Sequence, residues 1–288
     1  MTFRTILAVL DGSVADRRVL DTALAAGLPH EARITGLYAD TDPRDIPAAY
    51  IGNGTGIYVE PGLWKSLEQH ITEQRDAARR HFEAWQKDAG LPDAVRLRAG
   101  PSALLRIEVG SASKLIRDHG PVADLIVAAM PKPDETGKSL AFEAALFGTG
   151  RPVLAVPDAG SIALDRAAPI AVAWDGKPEA ARALNAALPL LARSRGEIIL
   201  LNVGPSADPE LLEPVADYLA MHGIAARGLA LFDRAGGTGA VLLEEVARRG
   251  AGILVMGAFS HSRLRELVMG GVTHHVVKHA AVPILFAH

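Results

Sequence analysis

The chain has 288 residues, 49% of them hydrophobic and 5% aromatic, with 30 Lys and Arg against 33 Asp and Glu for a formal net charge of −3. Split near Ala159, the halves hold 18 basic and 21 acidic residues and 12 of each, so neither has the basic excess that binding a phosphate backbone requires. There is no cysteine, which excludes disulfides and thiolate metal sites, and no apolar run reaches the roughly 18 residues of a membrane span.

Length suits two modules of about 140–150 residues each. The start, Met1-Thr2-Phe3-Arg4, has no signal-peptide pattern, so a cytoplasmic location is expected. Phe3–Leu10 reads as a first buried strand ending on Asp11-Gly12. Ser13 is placed to cap the following helix, with Asp16 in the position of a weak capping box. Arg33–Tyr38 is a second strand. Residues Asp40–Gly62, rich in Pro and Gly, read as an inserted surface loop. Trp64–Ala89 places Trp64, Leu67, Ile71, Ala78, Phe82 and Trp85 at helical spacing, a core or interface stripe. Ala103–Val109 is a third strand, Ser111–His119 a helix, Asp124–Ala128 a fourth strand and 151–157 a fifth.

The second half repeats this order. Ile170–Trp174 is an apolar run ending on Asp175-Gly176, and Pro178 opens a helix over Glu179–Ala192. Strands follow at Glu197–Val203, Arg227–Phe232, Ile253–Met256 and Pro283–Ala287. Helices lie at Pro209–Met221, at Thr238–Arg249 with Thr238 as cap, and at Thr273–His279. Strands alternating with helices predict parallel sheets covered on both faces, one per module over 1–158 and 159–288. In a five-stranded sheet of order 3-2-1-4-5 the strand order reverses between strands 1 and 4, where ligands bind beyond the carboxyl ends. That crevice lies beside Asp175 and Gly257 in the second module. There Gly257 permits close backbone approach. Gly270 and Gly271 precede a helix whose N-terminus suits an anion, and Thr273 adds a hydroxyl. Asp175 suits a ribose hydroxyl, because a carboxylate repels phosphate.

Those residues carry a resemblance. The stretch Ile253-Leu254-Val255-Met256-Gly257, the run Ser262-Arg263-Leu264-Arg265-Glu266-Leu267 and Gly150-Arg151-Pro152-Val153-Leu154 resemble the universal stress protein family in its tandem two-domain form. The resemblance implies two flavodoxin-like (adenine nucleotide alpha hydrolase-like) α/β modules that associate through their last strands as an intramolecular pseudo-dimer, with homodimer formation a further option. It implies a cytoplasmic stress-response protein that binds ATP or a related adenine nucleotide. By position, its contacts fall on Asp175, Val203, Met256, Gly257, Ser260, Gly270, Gly271, Val272 and Thr273. ATP-binding members read Gly-x2-Gly-x9-Gly-(Ser/Thr); here Ser260 stands for the second glycine and Gly271 for the Ser/Thr. The first module's loop, Ala129-Met130-Pro131-Lys132, has no such glycines, and its prolines remove amide donors, so that module is expected to be silent.

Plainer readings stand beside these. Asp-Gly is a common turn pair, and glycines serve loop geometry. His275 and His279 lie four apart without a third ligand at clear spacing, so no metal is expected beyond nucleotide-associated Mg. No nucleophile elbow, metalloprotease helix or Walker loop is present, and no catalytic residue is assigned. The alternatives to a nucleotide sensor are a protein-interaction module without nucleotide, its partner recruited by the 40–62 insertion, and a slow ATP hydrolase.

Overall fold

The computed structural model describes residues 2–40, 61–94, 100–132, 136–159, 164–234, 236–258 and 271–288. In the first half β1 (Thr5–Leu10), β2 (Arg33–Asp40), β3 (Ser102–Val109), β4 (Leu125–Ala129) and β5 (Val153–Val156) alternate with α1 (Ala15–Gly27), α2 (Pro61–Asp88), α3 (Ala112–His119) and α4 (Thr136–Gly148). The second half follows with β6 (Ile170–Ala173), α5 (Pro178–Leu191), β7 (Ile198–Gly204), α6 (Glu213–Met221), β8 (Ala226–Phe232), α7 (Gly237–Arg248), β9 (Ile253–Gly257), α8 (Gly271–His279) and β10 (Ile284–Ala287). Short 3-10 turns occur at Leu28–His30, Gly120–Val122 and Pro209–Leu212.

All ten strands form one sheet of order β3-β2-β1-β4-β5-β10-β9-β6-β7-β8. Each half therefore has the expected order 3-2-1-4-5, and its strands pair in parallel. The halves join where β5 and β10 pair antiparallel, with Ala155 opposite Ile284, Leu154 opposite Leu285 and Val153 opposite Phe286. Strands of an open α/β sheet are buried on both faces, which explains continuous apolar runs such as Leu125-Ile126-Val127-Ala128. Alternate residues supply two cores, one on each face, and both cores run through both halves. Across the seam, Phe142 of α4 meets Phe286 of β10 edge-on at 6.3 Å, and Phe147 meets His288 at 4.9 Å.

Several local expectations change. α4 has no counterpart in the sequence reading. Its segment Leu-Ala-Phe-Glu-Ala-Ala-Leu-Phe is apolar around most of the helix, so no polar stripe marks its period. The helix α2 begins at Pro61 and β2 runs to Asp40, so both ends of the expected insertion belong to regular elements; residues 41–60 lie outside the described residues. Ser13 is one residue too early to be the N-cap of α1, which is Val14; its Oγ instead accepts from the Ala15 N–H at 3.2 Å. Thr238 lies inside the first turn of α7 behind the cap Gly236, and its hydroxyl donates to Asp233 at 2.8 Å.

Candidate functional site

In each module the first strand ends on the Asp-Gly turn at the point where strand order reverses. Around β6 the neighbours are β9 on one side and β7 on the other, so the connections leave in opposite directions and open a crevice between β6 and β9. The two turns share a geometry. Asp11 Oδ1 accepts from the Ser13 N–H at 2.9 Å, and Asp175 Oδ1 accepts from the Lys177 N–H at 3.1 Å. Gly12 and Gly176 both have positive φ, 81° and 76°, which explains the glycine after each aspartate.

The surroundings of the turns differ. Five residues beyond Asp11 is Asp16, only 1% exposed. Its carboxylate reaches back to accept from the N–H groups of Asp11 (3.0 Å) and Gly12 (3.1 Å), so the first turn's amides already hold an anion. Burial pushes the Asp16 carboxyl up to about 6, against the opposing pull of those amides and of His81, whose Nδ1 stands 3.4 Å away. Five residues beyond Asp175 is Ala180, so among the described residues no carboxylate reaches back to the second turn.

The aspartates themselves are held differently. Asp11 Oδ2 lies 3.0 Å from Lys138 Nζ of α4. Burial alone would raise the Asp11 carboxyl, but its bonds with Ser13 and Lys138 overcome this and hold it below the usual range. Asp175 is about half exposed, with Lys177 of its own turn 3.4 Å away.

A third difference is cover. The 28-residue helix α2 lies over the first turn so closely that a Cβ on Gly12 would stand 2.4 Å from the Gln74 carbonyl oxygen. The same helix brings Arg75 to Asp40 (3.4 Å) and buries Ala78, Phe82 and Trp85. Tyr38 lies beneath it, its phenol pushed up to about 12 by burial and then by Asp40, Asp11 and Asp16. In the second module the equivalent connection is a 3-10 turn and the nine-residue α6, and among the described residues a Cβ on Gly176 would meet nothing within 4 Å.

The remaining expected positions are distributed as follows. Val203 is half-buried near the end of β7, next to Asn202. Sequence reasoning missed Asn202, which is 6% exposed. Its Nδ2 donates to the Trp174 carbonyl at 2.7 Å and its Oδ1 accepts from the Asp208 N–H at 2.8 Å, tying the end of β6 to the loop after β7. A polar residue closing an apolar strand was the available signal. Met256 is buried in β9. Gly257 ends β9 and lets the first turn of α5 approach, since a Cβ there would stand 2.6 Å from the Ala180 nitrogen. Gly271 opens α8 and is exposed, with no described residue within 4 Å of a Cβ built on it; Val272 is half-buried. Thr273 is buried on the same helix face as Val276 and Val277. Ser260 and Gly270 lie outside the described residues. Among the described residues no group of three or more His, Cys, Asp or Glu could hold a metal ion, and no helix is long and apolar enough to cross a membrane.

A model of the universal stress protein family matches residues 167–288. The second half of the chain is a universal stress protein domain. The fold of the whole chain is similar to that of a universal stress protein from Archaeoglobus fulgidus, 14% identical, with 98% of this chain and 97% of that one covered at a TM-score of 0.69. A functionally unknown protein from Pseudomonas aeruginosa PAO1 aligns at 12% identity over 99% of this chain and 92% of its own, with a TM-score of 0.55. At these identities the likeness is one of fold, and it covers both halves of the chain. No curated protein matches the sequence.

Proposed function

We propose that this universal stress protein binds an adenine nucleotide, ATP first among them, in the crevice of its second module (159–288), while the first module (1–158) is closed to ligand. The observation that carries the proposal is the Asp16–Ala180 difference: a buried carboxylate takes the turn amides in one module, and among the described residues nothing equivalent does so in the other. The binding residues proposed are Asp175 and Val203 toward the sugar and base, and Met256, Gly257, Ser260, Gly270, Gly271, Val272 and Thr273 along the loop and helix start. Any Mg would arrive with the nucleotide. The output proposed is regulatory rather than hydrolytic. Isothermal titration of the full chain with ATP and ADP tests this. Heat that saturates at one nucleotide per chain supports it. No heat at millimolar nucleotide would replace it with the interaction-module reading.

A further inference from the structure

A second concave region lies away from both Asp-Gly turns, between the modules. The end of α1 and the Leu28–His30 turn form one wall, and the second module supplies the other through the end of α5 and the starts of β6 and β9. An inner cavity of about 40 Å³ shares His30, Pro189 and Arg193 with a neighbouring cleft of about 260 Å³. A void needs only about 10–15 Å³ to hold a water. The cavity therefore accommodates a group of carboxylate size, and the cleft a small organic body.

The lining is divided by chemistry. In the cleft Leu188, Pro189, Ala192 and Ile224 are apolar, while His30, Arg193, His222 and Thr2 are polar. The inner cavity adds Arg166 and one acid, Asp165, whose Oδ1 is engaged by the Ala167 N–H at 2.8 Å. Arg166 Nε donates to the Arg193 carbonyl at 2.8 Å, which holds the two arginines side by side. Arg4, also near His30, is paired with Glu31 at 3.0 Å; no described carboxylate pairs with the Arg193 side chain. His30 is 4% exposed and packs edge-on to Phe3, yet its Nδ1 has no hydrogen-bond partner among the described residues. Leaving such a buried atom unsatisfied is costly, so a ligand that pairs with it is favoured. The imidazole is made less basic by burial and then by Arg193, Arg4 and the amino terminus, so the local field is positive.

We propose that this intermodule cleft binds a small carboxylic acid with an apolar body, its carboxylate between Arg193 and His30 and its hydrocarbon part against Leu188, Pro189, Ala192 and Ile224. Both modules line the site, so its ligand bridges them. The proposal uses no residue of the Asp175 crevice and stands independently of nucleotide binding.

Histidine imidazole NMR of the full chain, with His30 assigned from H30Q, is the test. The probes are isovalerate, its neutral amide isovaleramide, and acetate. Isovalerate is expected to shift the His30 signals saturably and raise the His30 pKa by about one unit, because a bound anion favours imidazolium. Isovaleramide should bind at least about tenfold more weakly, as should isovalerate to R193M, since each lacks one side of the charge-assisted contact. Acetate should be weaker than isovalerate for want of apolar contact. The proposal is overturned if isovalerate gives no saturable shift at tens of millimolar. Equal binding of acid and amide, of acid and acetate, or of isovalerate to R193M and the parent chain overturns it as well. R193M that fails to fold is replaced by R193K, which keeps charge but loses the bidentate fork and should weaken isovalerate binding; unchanged binding there also counts against the site.

Discussion

Replacing each turn glycine by alanine separates the cover over the first crevice from the turn geometry the modules share. Gly12 and Gly176 have nearly the same φ, 81° and 76°, so a Cβ costs each about 1–2 kcal/mol in left-handed backbone. At Gly176 that is the whole effect, because no described residue lies within 4 Å of the added atom. At Gly12 the atom would stand 2.4 Å from the Gln74 carbonyl oxygen, 3.0 Å from its carbon and 3.2 Å from its Cα, all backbone of α2. The helix must retreat by the better part of an ångström, pulling on Phe82 and Trp85, which are 2% and 0% exposed. Overpacking of this kind adds about 1–3 kcal/mol. G12A should therefore lose about 2–5 kcal/mol in urea unfolding and G176A about 1–2 kcal/mol. Equal losses in the two variants would refute the claim that α2 closes the first crevice.

Other consequences concern charge, seam and loop. The folded pKa of Asp16, about 6, lies above its ordinary 3.8. Its stabilising contribution is thus fully present below the ordinary value and lost as pH rises through about 6. The melting temperature of D16N, which stays neutral, should gain on that of the parent chain between pH 5 and 7.5 by the equivalent of roughly 1 kcal/mol; a flat difference contradicts the burial argument. K138M removes the partner of Asp11, so the Asp11 carboxyl, followed by NMR, should titrate at higher pH than in the parent chain. F286A empties a fully buried position where the two modules pair and should cost about 3–5 kcal/mol, with both modules losing protection from hydrogen exchange; loss confined to the second module would show that the seam does not couple them. G271S introduces a hydroxyl at a position with no described residue within 4 Å of its Cβ, and should tighten ATP binding up to about tenfold by calorimetry.

The order of strands was legible because β1, β4, β6 and β9 are short apolar runs separated by amphipathic helices, and the repeated Asp-Gly pair marked equivalent points in both halves. The helix α4 was not legible, since buried Phe142, Ala145 and Leu146 lie in a segment apolar on nearly every side. At the site, Asp175 and Gly257 could be placed together from topology alone. The path of α2 over the first Asp-Gly turn could not. Asp16 looks like a helix-cap acid in sequence, and its role depends on His81, 65 residues away, and on the path of α2 over Gly12. One local signal was present: an acid five residues after Asp11 against an alanine five residues after Asp175. Gly257 also reads differently in three dimensions, because its missing side chain makes room for the start of α5.

The most direct test of the asymmetry between the modules is the stoichiometry of ATP binding to the full chain, measured by titration calorimetry on the parent protein and D175A. One site per chain, weakened in D175A and unaffected by K138M, is the predicted result. Two sites per chain, or one site indifferent to D175A, would contradict an open second crevice beside a closed first one.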